Sequence, residues 1–172
     1  ASPPMLPRLV PLLASAASTL ETRPAGRRFP VRSLTIVPSI RAGSQTIEIT
    51  SEDRVLFPRD GITKGDIVRY YRDIAKWMVP HVRGRRLTLQ RYHRDIDQPG
   101  IFQKEIPRHF PDWVQRVTVP KHGGTVTHVV CENAQTLVYL ANQGCLTPHV
   151  GLQRIDRMEF PDQMVFDLDP PD

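Results

Sequence analysis

The first 45 residues limit the fold of this chain more than any other segment, because they are rich in proline and arginine and poor in acid. They hold seven of the 17 prolines, six arginines and a single acid, Glu21. Each proline removes a backbone donor and restricts the preceding residue, which disfavours long helices and central strands. We expect residues 1–45 to be a poorly ordered Arg-, Pro- and Ser-rich leader or linker, with a targeting peptide as the alternative. The domain is then expected to begin near Gln45 and to occupy residues 46–172.

The formal charge of +5 belongs to that leader, because residues 46–172 hold 17 basic and 17 acidic residues. The chain is 172 residues long and 40% hydrophobic, which is enough to bury a sizeable core. Its two cysteines are too few for a disulfide framework or a cysteine-rich zinc site. No apolar run approaches the roughly 18 residues that span a bilayer. These observations exclude a secreted mini-protein, a zinc finger and a membrane protein.

Downstream of the leader, the apolar residues alternate between helical and strand spacing. Thr63 is placed to cap a helix with Asp66 as its capping-box partner, and the helical pattern is predicted to end before Pro80. Asn133 caps a second predicted helix, which Gly144 closes. Strands are predicted at residues 46–50, 87–92, 117–119, 125–131 and 164–168. Strands mixed with two helices predict an α+β (mixed α/β) domain.

The strand predicted at residues 164–168 leads into two acids, Asp167 and Asp169. Alternate side chains of a strand share a face, so these two carboxylates would repel unless a cation lay between them. Oxygen ligands favour Mg²⁺ or Mn²⁺, and two such ions can flank an in-line phosphoryl displacement. The alternative is a strand end that runs into an acidic, solvated terminus, since acids at strand ends usually face water.

A second candidate surface is basic. Five arginines and no acid lie between His81 and Arg94, near the aromatics Tyr92 and Phe102, which suits a phosphate backbone with stacked bases. A solvated arginine-rich loop is the equal alternative. Lys64, in the first turn of the first predicted helix, could hold an anion together with the backbone N–H groups there, or simply point into solvent. His149 follows Pro148, and a lone histidine of this kind is more often a hydrogen-bonded structural residue than a catalytic one.

Five segments occur in the order and spacing of one known family. They are DRVLFPRDGITKGDIVRYY (Asp53–Tyr71), GRRLTLQRY (Gly84–Tyr92), FQKEIPRHFPDWV (Phe102–Val114), TLVYLANQG (Thr136–Gly144) and VFDLDP (Val165–Pro170). From about Ile47 onward the chain resembles the polymerase domain of bacterial DNA ligase D, of the archaeo-eukaryotic primase superfamily.

The resemblance implies a primase-like fold and a template-directed nucleotidyltransferase that fills gaps and extends ends during bacterial non-homologous end joining. It further implies two Mn²⁺ or Mg²⁺ ions as cofactors, and nucleoside triphosphates and DNA break ends or gapped duplexes as substrates. The partners implied are the Ku protein and the ligase and nuclease domains of the same polypeptide. A cytoplasmic, nucleoid-associated protein is expected, with no membrane partner.

By position, the resemblance also implies roles for eight residues. They are Asp167 and Asp169 as metal-binding, catalytic carboxylates; Arg54 and Lys64, assisted by Ser51, at the downstream 5′-phosphate; Phe102 stacked on the template; and Arg91 and His149 in the nucleotide pocket.

The chain departs from the family pattern in several places. Gln90 stands where lysine is common, Ile101 stands where a second aromatic is common, and Thr147-Pro148 replaces a Glu-containing segment before the histidine. The family's third metal-binding aspartate would lie beyond Asp172, so we expect the N-terminal portion of a polymerase domain that is inactive alone. Two alternatives stay open: a non-catalytic module that binds the 5′-phosphate of a DNA end, and a fragment that does not fold stably.

Overall fold

A computed structural model of the chain describes residues 37–169, and residues 1–36 of the predicted leader lie outside this range. Within the described part, two helices and nine strands follow one another. They are β1 (Ser39–Ala42), β2 (Gln45–Glu48), β3 (Val55–Phe57), β4 (Ile62–Thr63), α1 (Lys64–Val82), β5 (Arg85–Arg91), β6 (Ile101–Gln103), β7 (Arg116–Lys121), β8 (Gly124–Val130), α2 (Ala134–Asn142) and β9 (Cys145–Arg154). This mixture confirms the predicted α+β class. No helix among residues 37–169 is long and apolar enough to cross a bilayer.

The fold begins upstream of Gln45, where we expected the domain to start. Strand β1 precedes that position and pairs antiparallel with β2. Ile40 and Ala42 of β1 are buried in the main core together with Ile47 of β2. Burying these side chains draws the preceding residues into the folded unit, because apolar surface removed from water stabilises the packed state.

Helix α1 has the predicted capping box. The Thr63 hydroxyl accepts a hydrogen bond from the backbone N–H of Asp66 at 3.2 Å, and the Asp66 carboxylate accepts one from the backbone N–H of Thr63 at 3.0 Å. The predicted end before Pro80 is wrong, because the helix continues to Val82. Pro80 lies in the last turn, and only His81 and Val82 follow it in the helix, although its missing N–H removes one intrahelical hydrogen bond. That turn is retained because Val82 is buried in the core.

Helix α2 also begins and ends as predicted. Asn133 accepts a hydrogen bond from the backbone N–H of Thr136 at 3.0 Å. Gly144 follows the last turn with a φ of 79°, in the left-handed region that glycine adopts without strain. A side chain at this position would also place its Cβ 2.7 Å from the carbonyl oxygen of Tyr92. The chain can therefore pass from α2 into β9 close against the end of β5.

Strand β5 is the centre of a five-stranded antiparallel sheet. Strand β9 pairs with it from Arg85 to Arg91, whereas β8 pairs with its first half and β6 with its last three residues. Strand β7 pairs in turn with β8. Leu87 and Leu89 of β5 are fully buried against α1 and α2, so both helices cover one face of the sheet. The intervening residues Thr88 and Gln90 point to the other face.

The strand predicted at residues 164–168 is absent from the described structure. Residues 162–169 have no regular secondary structure and are exposed. The chain pairs with the sheet just before this segment, through an isolated bridge between Gln153 and Pro161. An apolar alternating segment becomes a strand only where a neighbouring edge accepts its backbone hydrogen bonds, and pattern alone does not supply that edge.

Candidate functional site

The loop before α1 and the first turn of α1 form what we call the basic junction, residues 50–54 and 64–65. Three backbone hydrogen bonds hold it together: Arg54 N to Ser51 O at 3.1 Å, Lys64 N to Arg54 O at 2.8 Å, and Gly65 N to Glu52 O at 2.9 Å. The junction therefore brings Ser51, Arg54 and Lys64, the three residues predicted to contact a 5′-phosphate, to one place at the N-terminus of a 19-residue helix.

Lys64 is buried in this junction, with only 3% of its surface exposed. Its ammonium group donates to the Thr50 carbonyl oxygen and, at 2.7 Å, to the Thr50 hydroxyl. Burial, and secondarily the positive charge of Arg54, lower the pKa of Lys64 to about 8. An anion in the junction would oppose both effects on the Lys64 pKa, because a nearby negative charge favours the protonated amine.

Arg54 carries the second charge of the junction. One of its terminal nitrogens donates to the His93 carbonyl oxygen at 2.6 Å, whereas its buried Nε has no hydrogen-bond partner within residues 37–169. The nearby acid Glu52 is engaged with Arg69 at 2.9 Å. In the described part of the chain, neither Arg54 nor Lys64 is in a salt bridge with a carboxylate. The junction therefore holds positive charge that its own acids do not neutralise.

Ser51 is held in a strained conformation at the rim of the junction. Its φ is 51°, and among residues 37–169 it alone is a non-glycine residue with positive φ. The left-handed region costs a residue with a Cβ about 1 kcal/mol. Such strain persists where surrounding contacts enforce it, and it is commonly found at functional loops.

A second cluster lies on the sheet face that the helices leave uncovered, and we call it the open face: Gln90, Phe102, Thr147 and His149. Gln90 is paired with Phe102 on one side and with Thr147 on the other. The His149 ring nitrogen Nε2 is 3.4 Å from the Gln90 side-chain oxygen, and its ring centroid is 5.2 Å from that of Phe102. Phe102 is 61% exposed, so the face presents an aromatic ring to solvent.

Arg91 points away from this open face. Its guanidinium donates to the Gln143 carbonyl oxygen at 2.9 Å and to the Gln103 side chain at 2.6 Å. Burial lowers its pKa from the ordinary value of an arginine. Because successive residues of a strand alternate in direction, Arg91 lies on the helix side, whereas its neighbour Gln90 contacts His149. The structure thus places Arg91 and His149, predicted to share one pocket, on different faces.

The two predicted metal ligands lie in what we call the carboxylate segment, residues 162–169. Asp167 and Asp169 are both exposed in it. Residues 37–169 contain no ready-made group of three or more His, Cys, Asp or Glu side chains that could hold a metal ion. The donor set itself fits Mg²⁺ or Mn²⁺, because two carboxylates one residue apart supply hard oxygen ligands.

Comparison with known proteins identifies the family. The model of the LigD primase-polymerase domain matches residues 63–172. The chain is 35% identical over 137 residues to the multifunctional non-homologous end joining protein LigD of Mycobacterium bovis, which covers 75% of this chain and 18% of that protein. It is 34% identical over 125 residues to the bifunctional LigD of Bacillus subtilis, covering 73% of this chain and 20% of that protein.

A solved structure agrees with this assignment. The polymerase domain of Mycobacterium tuberculosis ligase D, in complex with DNA, is 37% identical and superposes with a TM-score of 0.61 over 63% of this chain and 38% of that one. The chain belongs to the LigD primase-polymerase domain family. It spans about a fifth of the length of the curated LigD proteins that it matches.

The family match divides the candidate residues of this LigD domain into two groups. It includes Lys64, the open face and both acids of the carboxylate segment, but it begins at residue 63, after Ser51 and Arg54. Sequence reasoning missed Thr50, whose hydroxyl accepts a hydrogen bond from Lys64. It considered Tyr92 as a stacking aromatic, whereas the structure places the Tyr92 hydroxyl 3.0 Å from the Gln90 amide nitrogen. No local pattern reveals such partners, because their roles depend on which side chains the fold brings together.

Proposed function

We propose that this chain contributes to a template-directed nucleotidyltransferase that extends and fills DNA ends in bacterial non-homologous end joining. The observation that carries this proposal is the basic junction, in which Arg54 and the buried Lys64 hold charge that no acid of residues 37–169 neutralises. The polymerase domain of Mycobacterium tuberculosis ligase D was solved in complex with DNA, which supports DNA as the ligand here.

The junction suits a terminal 5′-phosphate better than an internal one. A terminal phosphate carries up to two negative charges and has oxygens able to accept from both Lys64 and Arg54 at once. The N-terminus of α1 adds partial positive charge and backbone N–H groups. Thr63 and Asp66 already satisfy part of this helix end, so the two side chains provide most of the attraction.

The open face suits a base and a nucleotide. Phe102 presents an exposed ring on which a template base can stack, a contact worth about 1–3 kcal/mol per base. His149 and Gln90 lie beside it as hydrogen-bonding groups for the incoming nucleoside triphosphate. Arg91 acts from the helix side in this proposal, where it orients Gln103 at the edge of the face.

The acids of the carboxylate segment complete the proposed reaction centre. Asp167 and Asp169 would hold divalent Mn²⁺ or Mg²⁺. Such ions, when bound, favour attack of the primer 3′-hydroxyl on the α-phosphate and stabilise the charge that develops on the leaving pyrophosphate. The Ku protein and the ligase and nuclease domains are the partners that the same proposal assigns.

The junction can be tested by binding alone. A gapped duplex with a 5′-phosphate should lose about tenfold or more affinity on Lys64→Ala, the size expected for one charge-assisted contact, while a 5′-hydroxyl duplex should show little change. Fluorescence anisotropy at fixed salt measures both. Lys76→Ala, an exposed lysine on the same helix, is the matched control and should not discriminate between the two duplexes. Equal affinity of the native chain for both duplexes would contradict the proposal.

A non-catalytic end-binding module is the second candidate. It is favoured by the contrast between a basic junction that is already formed and acids that lie exposed in an irregular segment. Primer extension with Mn²⁺ separates the two functions. Incorporation that Asp167→Ala abolishes, by this chain or by a longer domain that also carries the third aspartate, supports the polymerase, whereas 5′-phosphate-dependent binding without incorporation by either supports the module.

A further inference from the structure

The side chain of Asn142 reaches from helix α2 to the chain that leads into the basic junction. Asn142 is the last residue of α2 and is only 5% exposed. Its Nδ2 donates to the Glu48 carbonyl oxygen at 2.7 Å, and its Oδ1 accepts from the backbone N–H of Thr50 at 3.3 Å. Glu48 ends β2 and Thr50 begins the junction, so one side-chain amide spans the point where the strand becomes a loop.

These two hydrogen bonds fix the orientation of the Asn142 amide. A flipped amide would set its oxygen against the Glu48 carbonyl oxygen and its NH₂ group against the Thr50 N–H, so both contacts would become repulsive. The amide therefore binds the chain with one donor and one acceptor, as the backbone of a neighbouring strand does. Thr50 is held in place in this way although it lies beyond the last residue of β2.

The helix end that carries Asn142 is itself fixed to the sheet. The Tyr92 N–H donates to the Gly144 carbonyl oxygen at 2.9 Å. The Arg91 guanidinium donates to the Gln143 carbonyl oxygen, also at 2.9 Å. Both contacts join the turn that follows Asn142 to the end of β5, so Asn142 is a rigid support for the backbone that its amide binds.

Thr50 in turn holds the ammonium group of Lys64. Within residues 37–169, both acceptors of this group are oxygens of Thr50, namely the carbonyl oxygen and, at 2.7 Å, the hydroxyl. An ammonium group has three N–H bonds, and their directions relative to one another are fixed. Two of them are directed at Thr50, so the position of Thr50 also determines the direction of the third. That third N–H is the one available to an anion in the junction.

The strained residue next to Thr50 lies between two such contacts. Ser51 has a φ of 51°, and its carbonyl oxygen accepts from the backbone N–H of Arg54 at 3.1 Å. Asn142 holds the N–H of Thr50 on the other side. Strain of this kind persists only where the surroundings enforce it, and contacts on both sides of Ser51 supply that constraint.

We propose that Asn142 is a positioning residue of the basic junction, which holds Thr50 so that the third N–H of Lys64 is aimed at a bound anion. Asn142 itself does not touch the anion and acts on binding only through Lys64. The identity of the anion as a 5′-terminal phosphate rests on the proposed function, whereas the contacts from Asn142 to Lys64 rest on geometry alone.

A double-mutant cycle tests whether Asn142 acts through Lys64. The measured quantity is the ratio of the affinities for a gapped duplex with a 5′-phosphate and the same duplex with a 5′-hydroxyl, obtained by fluorescence anisotropy at fixed salt. Asn142→Ala should lower this ratio about threefold or more, which lies within the coupling range of contacting groups. In a Lys64→Ala background the same substitution should change the ratio no further, because the group that it positions is gone.

Gln135→Ala is the matched control on the same helix. The Gln135 side-chain oxygen accepts from the backbone N–H and the hydroxyl of Ser44 at 3.1 and 3.0 Å, so it also joins α2 to the β1–β2 hairpin. These contacts lie at the end of β2 remote from the junction, and the ratio should not change. An equal loss for Gln135→Ala, an unchanged ratio in Asn142→Ala, or an equal loss with and without Lys64 would overturn the proposal.

A measurement without DNA separates this proposal from the proposed function. The pKa of Lys64 is about 8, so its amine is protonated at about pH 6. Buried, hydrogen-bonded ammonium hydrogens exchange slowly with water, and Lys64 should therefore give a proton–nitrogen NMR signal, assigned by its absence from Lys64→Ala. The signal should be lost in Asn142→Ala and kept in Gln135→Ala.

The outcomes of the NMR measurement are distinct. No signal in the native chain, or a signal that persists in Asn142→Ala, would overturn the positioning role. A signal lost as expected, in a protein that binds both duplexes equally, would leave the positioning role standing and contradict the 5′-phosphate site instead. Circular dichroism establishes that each variant is folded. If Asn142→Ala does not fold, Asn142→Ser replaces it under the same criteria, because its hydroxyl can bond only one of the two backbone groups.

Discussion

The basic junction and the carboxylate segment are both candidate sites for the chemistry of DNA ends, yet they differ in how firmly the chain holds them. Three backbone hydrogen bonds and a capped helix fix the junction. The segment is held at Asp162 and is irregular and exposed beyond it. The groups proposed to bind an anion are therefore preorganised, whereas those proposed to bind a cation still have to be brought to their partners.

This difference follows from how each site accommodates two like charges. Two cations can be kept close without an anion because the backbone and Thr50 hold one of them in place, at the expense of a lowered pKa for Lys64. Two acids on an unpaired segment have no comparable framework and remain in water. Under the proposed function, a preorganised junction beside an exposed, irregular segment would bind a DNA end before the two acids bind a cation.

The largest expected effect comes from removing the anchor of the segment. Asp162→Ala should lower the free energy of unfolding more than any other change considered, because it leaves the buried guanidinium of Arg85 without its carboxylate partner. Urea denaturation measures this loss. Asp156→Ala breaks a longer contact to Arg154, 3.8 Å at the surface, and should cost about 0.5 kcal/mol or less. Equal losses would show that the anchor is no stronger than a surface pair.

The pH dependence of stability reports on the junction. Between about pH 8 and 10.5 the unfolded chain still binds the Lys64 proton that the folded chain has released, so folding gains stability as pH rises. The free energy of unfolding of the native chain should rise by about 2 kcal/mol relative to Lys64→Met across this range. Taking the difference cancels the opposite contribution of Tyr71, whose pKa burial raises to about 12. Lys76→Met, the exposed control, should show no such trend.

The smallest expected effect concerns strain in the junction. Ser51→Gly should stabilise the fold by about 0.5 kcal/mol, because glycine adopts a φ of 51° without a steric penalty but loses more freedom on folding. Thermal unfolding would detect the gain as a small rise in Tm. Ser51→Ala retains the Cβ and should bring no gain. If alanine stabilises the fold as much as glycine does, the strained backbone is not the cause.

Much of the fold could be predicted from the sequence because its signals are local. The capping box of Thr63 and Asp66, the cap at Asn133 and the glycine at position 144 each act within a few residues, and the structure contains all three. The continuation of α1 through Pro80 could not be predicted, because it depends on the burial of Val82 by elements distant in sequence. Strand β1 could not be predicted for the same reason. Its apolar residues pack against distant elements, whereas the proline content of the leader suggested only an irregular segment.

The sequence indicated candidate residues better than it indicated which of them lie together. The resemblance indicated Lys64, Arg54 and Ser51, and the structure gathers them at one junction. It also indicated Arg91 and His149 together, but Arg91 points to the helix side of β5, whereas His149 lies on the open face. Alternation along a single strand can be read from sequence, whereas relations across a sheet require its register.

The hydrogen bonds of Gln90 also determine the tautomer of His149. The Gln90 amide nitrogen donates to the Tyr92 hydroxyl at 3.0 Å, which leaves the amide oxygen facing Nε2 of His149 at 3.4 Å. An amide oxygen can only accept, so in this arrangement Nε2 carries the hydrogen and a neutral His149 keeps the lone pair on Nδ1. The neutral imidazole would therefore approach a bound molecule through Nδ1 as an acceptor, for example of a sugar hydroxyl hydrogen.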